Sequence, residues 1–201
     1  MSLIQKLLHK PWTNAGVVEI DDSPLLEIPN AKIGLWAFMF TLAGVFGLFL
    51  VAYQMRITLT TDWVPLPKPG VLWLNTIVLV LASVAFEFTK AQARQKKVAG
   101  IRYGLAISGL LTIAFLIGQL GAWQQLQASG YLLANNPANS FFYLLTGLHG
   151  LHLLGGLLVW GKATWRAWTG YEVTLSVELC ATYWHFLLLV WVVMFGLLLS
   201  T

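Results

Sequence analysis

Residues 141–160 read FFYLLTGLHGLHLLGGLLVW. The run is long enough for a helix to cross a hydrocarbon core, which takes roughly 20 apolar residues. It nevertheless carries His149 and His152 near its middle, three residues apart and so on one helical face. Around them stand Gly147, Gly150, Gly155 and Gly156, which weaken a helix in water but let membrane helices approach closely. A face that is both small and polar is a packed face, so the stretch reads as one member of a helical bundle in a membrane.

The whole chain fits that reading. Of its 201 residues 58% are hydrophobic and 10% charged, with mean hydropathy +0.72, far from the charged share of about 25% in soluble domains. The sole cysteine, Cys180, lies inside an apolar run, which excludes a disulfide framework and a Cys-based metal box. There is no internal repeat, no glycine loop for phosphate and no nucleophile elbow.

Residues 1–32 form a polar leader, expected to be cytoplasmic or interfacial. Leu3, Ile4, Leu7 and Leu8 interleave with Lys6 and Lys10, a pattern suited to the membrane surface; Glu19, Asp21, Asp22 and Glu27 then make it acidic. The first long apolar run comes too late for a secretory signal, so no cleavage is expected.

Five apolar runs follow, at about 33–55, 71–88, 103–123, 141–161 and 178–199. They predict an all-α integral membrane domain of five transmembrane helices over 33–201, because backbone groups in lipid must be satisfied within the segment. Basic residues set its orientation. Lys90, Arg94, Lys96, Lys97, Arg102, Lys162 and Arg166 fall in alternate loops with Lys6, Lys10 and Lys32, against Arg56 and Lys68 on the other side. The amino terminus is therefore expected in the cytoplasm and the carboxyl terminus in the periplasm. The net charge of +4 follows from these loops and asks for no nucleic acid.

Ionisable residues within apolar spans are the candidates for chemistry, because burying them is costly. They are His149 and His152 in the fourth span and Glu178 and His185 in the fifth. Glu178 and His185, seven apart, line one stripe separated by about 10 Å of rise, and antiparallel spans bring His152 and His185 to similar depth. Three readings fit: imidazoles as haem or metal ligands, interhelical hydrogen bonds that fix the bundle, and a proton relay through Glu178. Glu87, with Lys90 three residues on, reads as a local pair. Trp12, Trp63, Trp73, Trp123, Trp160, Trp165 and Trp168 mostly flank spans as an aromatic belt does, and Trp184 and Trp191 read as packing residues.

Several of these pieces, in this order, resemble subunit III of the haem-copper respiratory oxidases in its five-helix bacterial form. The pieces are LTGLHGLH at 145–152, YWHF at 183–186 with Glu178 seven residues before His185, Leu74-Asn75-Thr76 opening the second span, KIGLW at 32–36, and Gly118-Gln119 with Ala122-Trp123 closing the third. The resemblance implies a non-catalytic accessory subunit in the bacterial inner membrane, within a complex that reduces oxygen and pumps protons. It implies that this chain binds no haem or copper, which belong to partner subunits, and that it holds phospholipid. The implied partners are catalytic subunit I, subunit II and other small subunits. His149, His152, Glu178 and His185 become a buried polar cluster with possible lipid contact, and Gly147, Gly150, Gly155, Gly156, Asn75, Tyr183 and Trp184 become helix-packing positions.

The sequence departs from the family pattern in two places. Phe40-Thr41-Leu42 stands where many members carry a Ser-Glu pair, and Leu188 where an aspartate is frequent. The two further amino-terminal helices of longer members are missing from the pattern, so a lipid cleft of their kind would need another subunit. An accessory protein of a nitric oxide reductase and a haem-binding membrane anchor are the alternative functions.

Overall fold

The computed structural model describes residues 29–59, 63–67 and 69–200. Its helices are α1 Asn30–Leu59, α2 Val71–Arg94, α3 Val98–Ala128, α4 Pro137–Trp168 and α5 Thr174–Ser200, and no strand occurs among the described residues. Each helix contains one of the apolar runs and is longer than it. All five are long and apolar enough to cross a membrane. The amphipathic and acidic parts of the leader lie outside the described residues, as does Lys68.

Local chemistry sets the ends. Pro137 occupies the first turn of α4, where its missing N–H costs nothing, and Asn136 caps that helix by accepting from the Ala138 N–H at 3.0 Å. The same carboxamide donates to Val64 O at 2.7 Å, tying the α1–α2 connection to the start of α4. Gly130 and Gly170, after α3 and α4, both take φ +85°, the left-handed conformation that reverses a chain cheaply only at glycine.

Helices α2 to α5 close into a ring, with α2 packed on α3 and α5, α3 on α4, and α4 on α5. The closest approach is between α2 and α3. A methyl group on Gly104 would overlap the Thr89 hydroxyl and come within 3.3 Å of its Cα, and one on Gly118 would overlap the Asn75 carboxamide. Those positions pair off in antiparallel register, 104 with 89 and 118 with 75, so one glycine edge of α3 runs along α2.

Helix α1 stands outside the ring. Only 17% of its membrane window is buried, against 44% for α5. It leans on α4 and α5 through ring contacts: Phe38 with Tyr183 at 6.1 Å, Phe46 with His152 at 5.6 Å and Tyr53 with Phe141 at 5.5 Å. A cavity of about 410 Å³ remains between α1 and the α4–α5 pair.

Gly104→Ala is expected to destabilise the fold by about 1–3 kcal/mol, the usual cost of overpacking, whereas Gly155→Ala, whose added methyl meets nothing within 4 Å, is expected to be neutral. Thermal unfolding of the two variants in detergent checks the contrast; equal melting temperatures would contradict the α2–α3 packing.

Candidate functional site

Indole N–H groups inside an apolar bundle need acceptors, and threonines supply three of them in this chain. Trp123 donates to Thr146 Oγ1 at 3.1 Å, Trp184 to Thr112 at 2.9 Å and Trp191 to Thr76 at 3.0 Å. Each threonine hydroxyl in turn donates one turn back along its own helix, to Phe142 O, Ser108 O and Leu72 O. Each hydroxyl thus serves its own helix with its proton and another helix with its lone pair, Thr112 doing so across the ring. Trp160 donates directly to Leu105 O at 2.9 Å, and Asn75 donates to Gln119 Oε1 at 3.2 Å.

Between α2 and α5 the contacts form a ladder. Arg94 Nε lies 3.2 Å from Glu178 Oε1, Glu87 Oε2 lies 3.0 Å from His185 Nε2, and Ser83 Oγ bonds His185 Nδ1. One tautomer satisfies both groups around the imidazole, with the Ser83 hydroxyl donating to Nδ1 and Nε2–H donating to Glu87. Numbers fall along α2 as they rise along α5, as antiparallel neighbours require. Lys90 reinforces the same rung, with Nζ at 3.0 Å from both Glu87 oxygens.

Charge collects at one end of the bundle. Lys32 of α1 approaches Glu178 Oε2 at 2.8 Å while Arg94 takes Oε1, so this carboxylate ties three helices together. Beside it lies a polar pocket of about 220 Å³ that includes Lys32, Lys90, Arg94 and Thr182. Leu35 and Leu179 line both this pocket and the apolar cavity next to α1, so the two adjoin.

The four polar side chains expected together stand at four separate places. His149 is fully buried beside the rings of Phe115, at 5.9 Å, and Trp191, at 5.3 Å. Neither of its nitrogens has a hydrogen-bond partner among the described residues. His152 points toward α1, its Nδ1–H donating to Leu148 O at 2.7 Å, and its ring lines the apolar cavity. His185 faces α2, and Glu178 lies at the charged end. The α4–α5 tie is made by the Tyr183 hydroxyl donating to the His152 carbonyl at 3.2 Å. Among the described residues no group of three or more His, Cys, Asp or Glu could hold a metal ion.

The glycines also divide. A methyl on Gly156 would come within 3.0 Å of both Tyr183 and Trp184, so the α4–α5 approach depends on it. At Gly147 and Gly150 the added carbon would meet Trp123 and Leu116 at ordinary contact distance, and at Gly155 nothing. Lys32, Ser83, Arg94, Thr76, Thr112 and Thr146 were not singled out as candidates from the sequence. A signal exists for Arg94: the seven-residue spacing of Glu87 and Arg94 equals that of Glu178 and His185, so antiparallel helices can pair both at once.

His149→Leu is expected to leave stability unchanged or slightly raised, because removing an unsatisfied buried polar group removes its desolvation cost. His185→Leu is expected to lower it by about 1–3 kcal/mol by stranding Ser83 and Glu87. Thermal unfolding of both variants in detergent checks this, and a large loss at His149 would show an unrecognised partner there.

The sequence model of the family described as cytochrome c oxidase subunit III matches residues 32–199, which covers all five helices except their extreme ends. Among curated proteins, the cytochrome c oxidase subunit 3 of Thermostichus vulcanus is 28% identical over 181 residues, covering 86% of this chain and 88% of that protein. That of Synechocystis sp. is 33% identical over 174 residues, covering 81% and 72%. A probable cytochrome c oxidase subunit 3 of Mycobacterium tuberculosis is 29% identical over 156 residues, covering 74% and 76%. With five membrane-crossing helices laced by the Trp–Thr pairs and the α2–α5 ladder, this chain belongs to the cytochrome c oxidase subunit III family.

Proposed function

We propose that this multi-pass membrane protein is the non-catalytic accessory subunit of a haem-copper terminal oxidase in the bacterial inner membrane, acting in aerobic respiration beside a catalytic subunit that reduces oxygen and moves protons. The match of the family over residues 32–199 carries this reading. The polar side chains within the spans serve, on this account, to hold the bundle in one shape. Ser83, Thr76, Thr112 and Thr146 are each committed to contacts between helices, which suits a rigid body that supports a neighbour. Haem and copper belong to the partner subunits.

A phospholipid is the ligand that the crevice beside α1 suits. Its charged end offers Lys32 and Arg94 around one carboxylate, Glu178, and its apolar extension passes Leu35 and Leu179 to Phe38, His152 and Tyr183. Cations at the rim with apolar walls behind match a phosphate head and an acyl chain. His152 is the member of the predicted polar set that stands nearest such a chain. The charged end also fits the orientation read from the basic loops, with Lys32, Arg94 and Glu178 facing the cytoplasm.

Purification of the tagged chain in mild detergent is expected to bring down a haem-copper catalytic subunit, with the haem absorption leaving when this chain is separated. Co-purification of a nitric oxide reductase, or a haem band retained by the isolated chain, would overturn the reading. Native mass spectrometry of the same complex is expected to show bound phospholipid, reduced by Lys32→Gln with Arg94→Gln; unchanged lipid in the double variant would remove the crevice as its seat.

A further inference from the structure

Glu87 and His185 sit on the α2–α5 ladder, yet their side chains are 52% and 41% exposed on the outside of the ring. Their neighbours one turn away on the same helices, Val84 and Leu189, are apolar and 60% and 62% exposed. The rim on this side is marked by the Arg94–Glu178 ion pair. Glu87 and His185 each lie seven residues further in, about 10 Å of helical rise. A carboxylate and an imidazole thus open outward, at depth, from an apolar surface. Ionisable residues at such depth normally face a bundle interior or a water-filled cavity, because lipid gives them no partner.

Counting the partners of the carboxylate narrows what covers it. A carboxylate offers about four acceptor sites. Lys90 approaches both oxygens and His185 approaches Oε2, which leaves acceptor capacity on Oε1. The negative charge is already matched by Lys90, which directs its ammonium at Glu87 rather than at the rim, so a second cation is not called for. His185 is occupied on both nitrogens, by Ser83 and Glu87. What the group lacks is one uncharged donor and cover from lipid.

Acyl chains have no donor, and lipid headgroups lie at the rim, about 10 Å away along the helix. A protein side chain carried on another membrane-crossing segment supplies both a donor at this depth and cover from lipid, whereas a water supplies the donor alone. We infer that the outer face of α2 and α5, centred on Glu87 and His185, is the seat of a transmembrane helix of a partner subunit, which presents a neutral hydroxyl or carboxamide donor to the Glu87 carboxylate. The inference rests on the reading that this chain works within a membrane complex, and it names the face by which it is held.

The test uses the intact complex in mild detergent, with a photo-crosslinking residue at Val84 or Leu189, and at Leu110 or Ile117 on the exposed side of α3 for comparison. Positions 84 and 189 are expected to cross-link to a partner polypeptide, with yields several-fold above those from 110 and 117. Glu87→Leu is expected to lower the fraction of complex retaining this chain after detergent challenge about three- to tenfold, the range for one interhelical hydrogen bond in a membrane, with Glu87→Gln in between. Cross-links from 84 and 189 to lipid alone, with the oxidase still co-purifying, would overturn the seat and leave the family function standing. A cross-link to a membrane protein other than an oxidase subunit would keep the seat and overturn the oxidase reading.

Discussion

A bilayer supplies no hydrogen bonds, so a polar group inside it is costly unless another group of the protein answers it. That constraint shapes this structure more than any apolar contact does. Lipid tails are as apolar as leucine, and burying one more leucine between helices gains little over leaving it in lipid. The indoles of Trp123, Trp184 and Trp191 discriminate. Each finds a threonine on another helix, and each threonine can serve because its own proton is already given to the turn behind it.

The same constraint grades the bundle from rigid to loose. The α2–α3 pair is held by glycine-mediated approach and by the Asn75–Gln119 bond, and α2–α5 by the ladder from Thr76 to Arg94. The rings that touch α1 are spread along its length, and Lys32 joins it to Glu178 at one end. A helix attached in this way leaves space beside it, and the apolar cavity and the charged pocket adjoin there. Looseness at α1 and the crevice are one fact seen twice.

The polar groups left over after internal pairing mark the function. His149 is sealed among aromatic rings and has nothing to offer a partner. Glu87 and His185 are paired and also open outward, and the cations around Glu178 open at the rim. On the proposed reading the first surface meets protein and the second meets lipid headgroups.

Much of this was legible in the residues alone. Run length and composition determined the five helices, since hydrophobicity over 20 residues is a local property. The ordered motifs around His149, His185, Asn75 and Gln119 determined the family. Loop charges led to an orientation, and the presence of costly residues in the spans singled out the histidines and Glu178. What the sequence could not determine was which way each of them faces. In a soluble helix the polar side is the outer side, so periodicity reveals orientation; in α4 and α5, which carry the histidines, the lipid-facing and core-facing sides are nearly equally apolar, and the signal vanishes. Only the packed structure decided that His149 points to Phe115 and Trp191, His152 to α1 and His185 to α2. It likewise decided that the closest glycine contacts lie on α3 at Gly104, Gly109 and Gly118, because steric fit depends on the neighbour as much as on the residue.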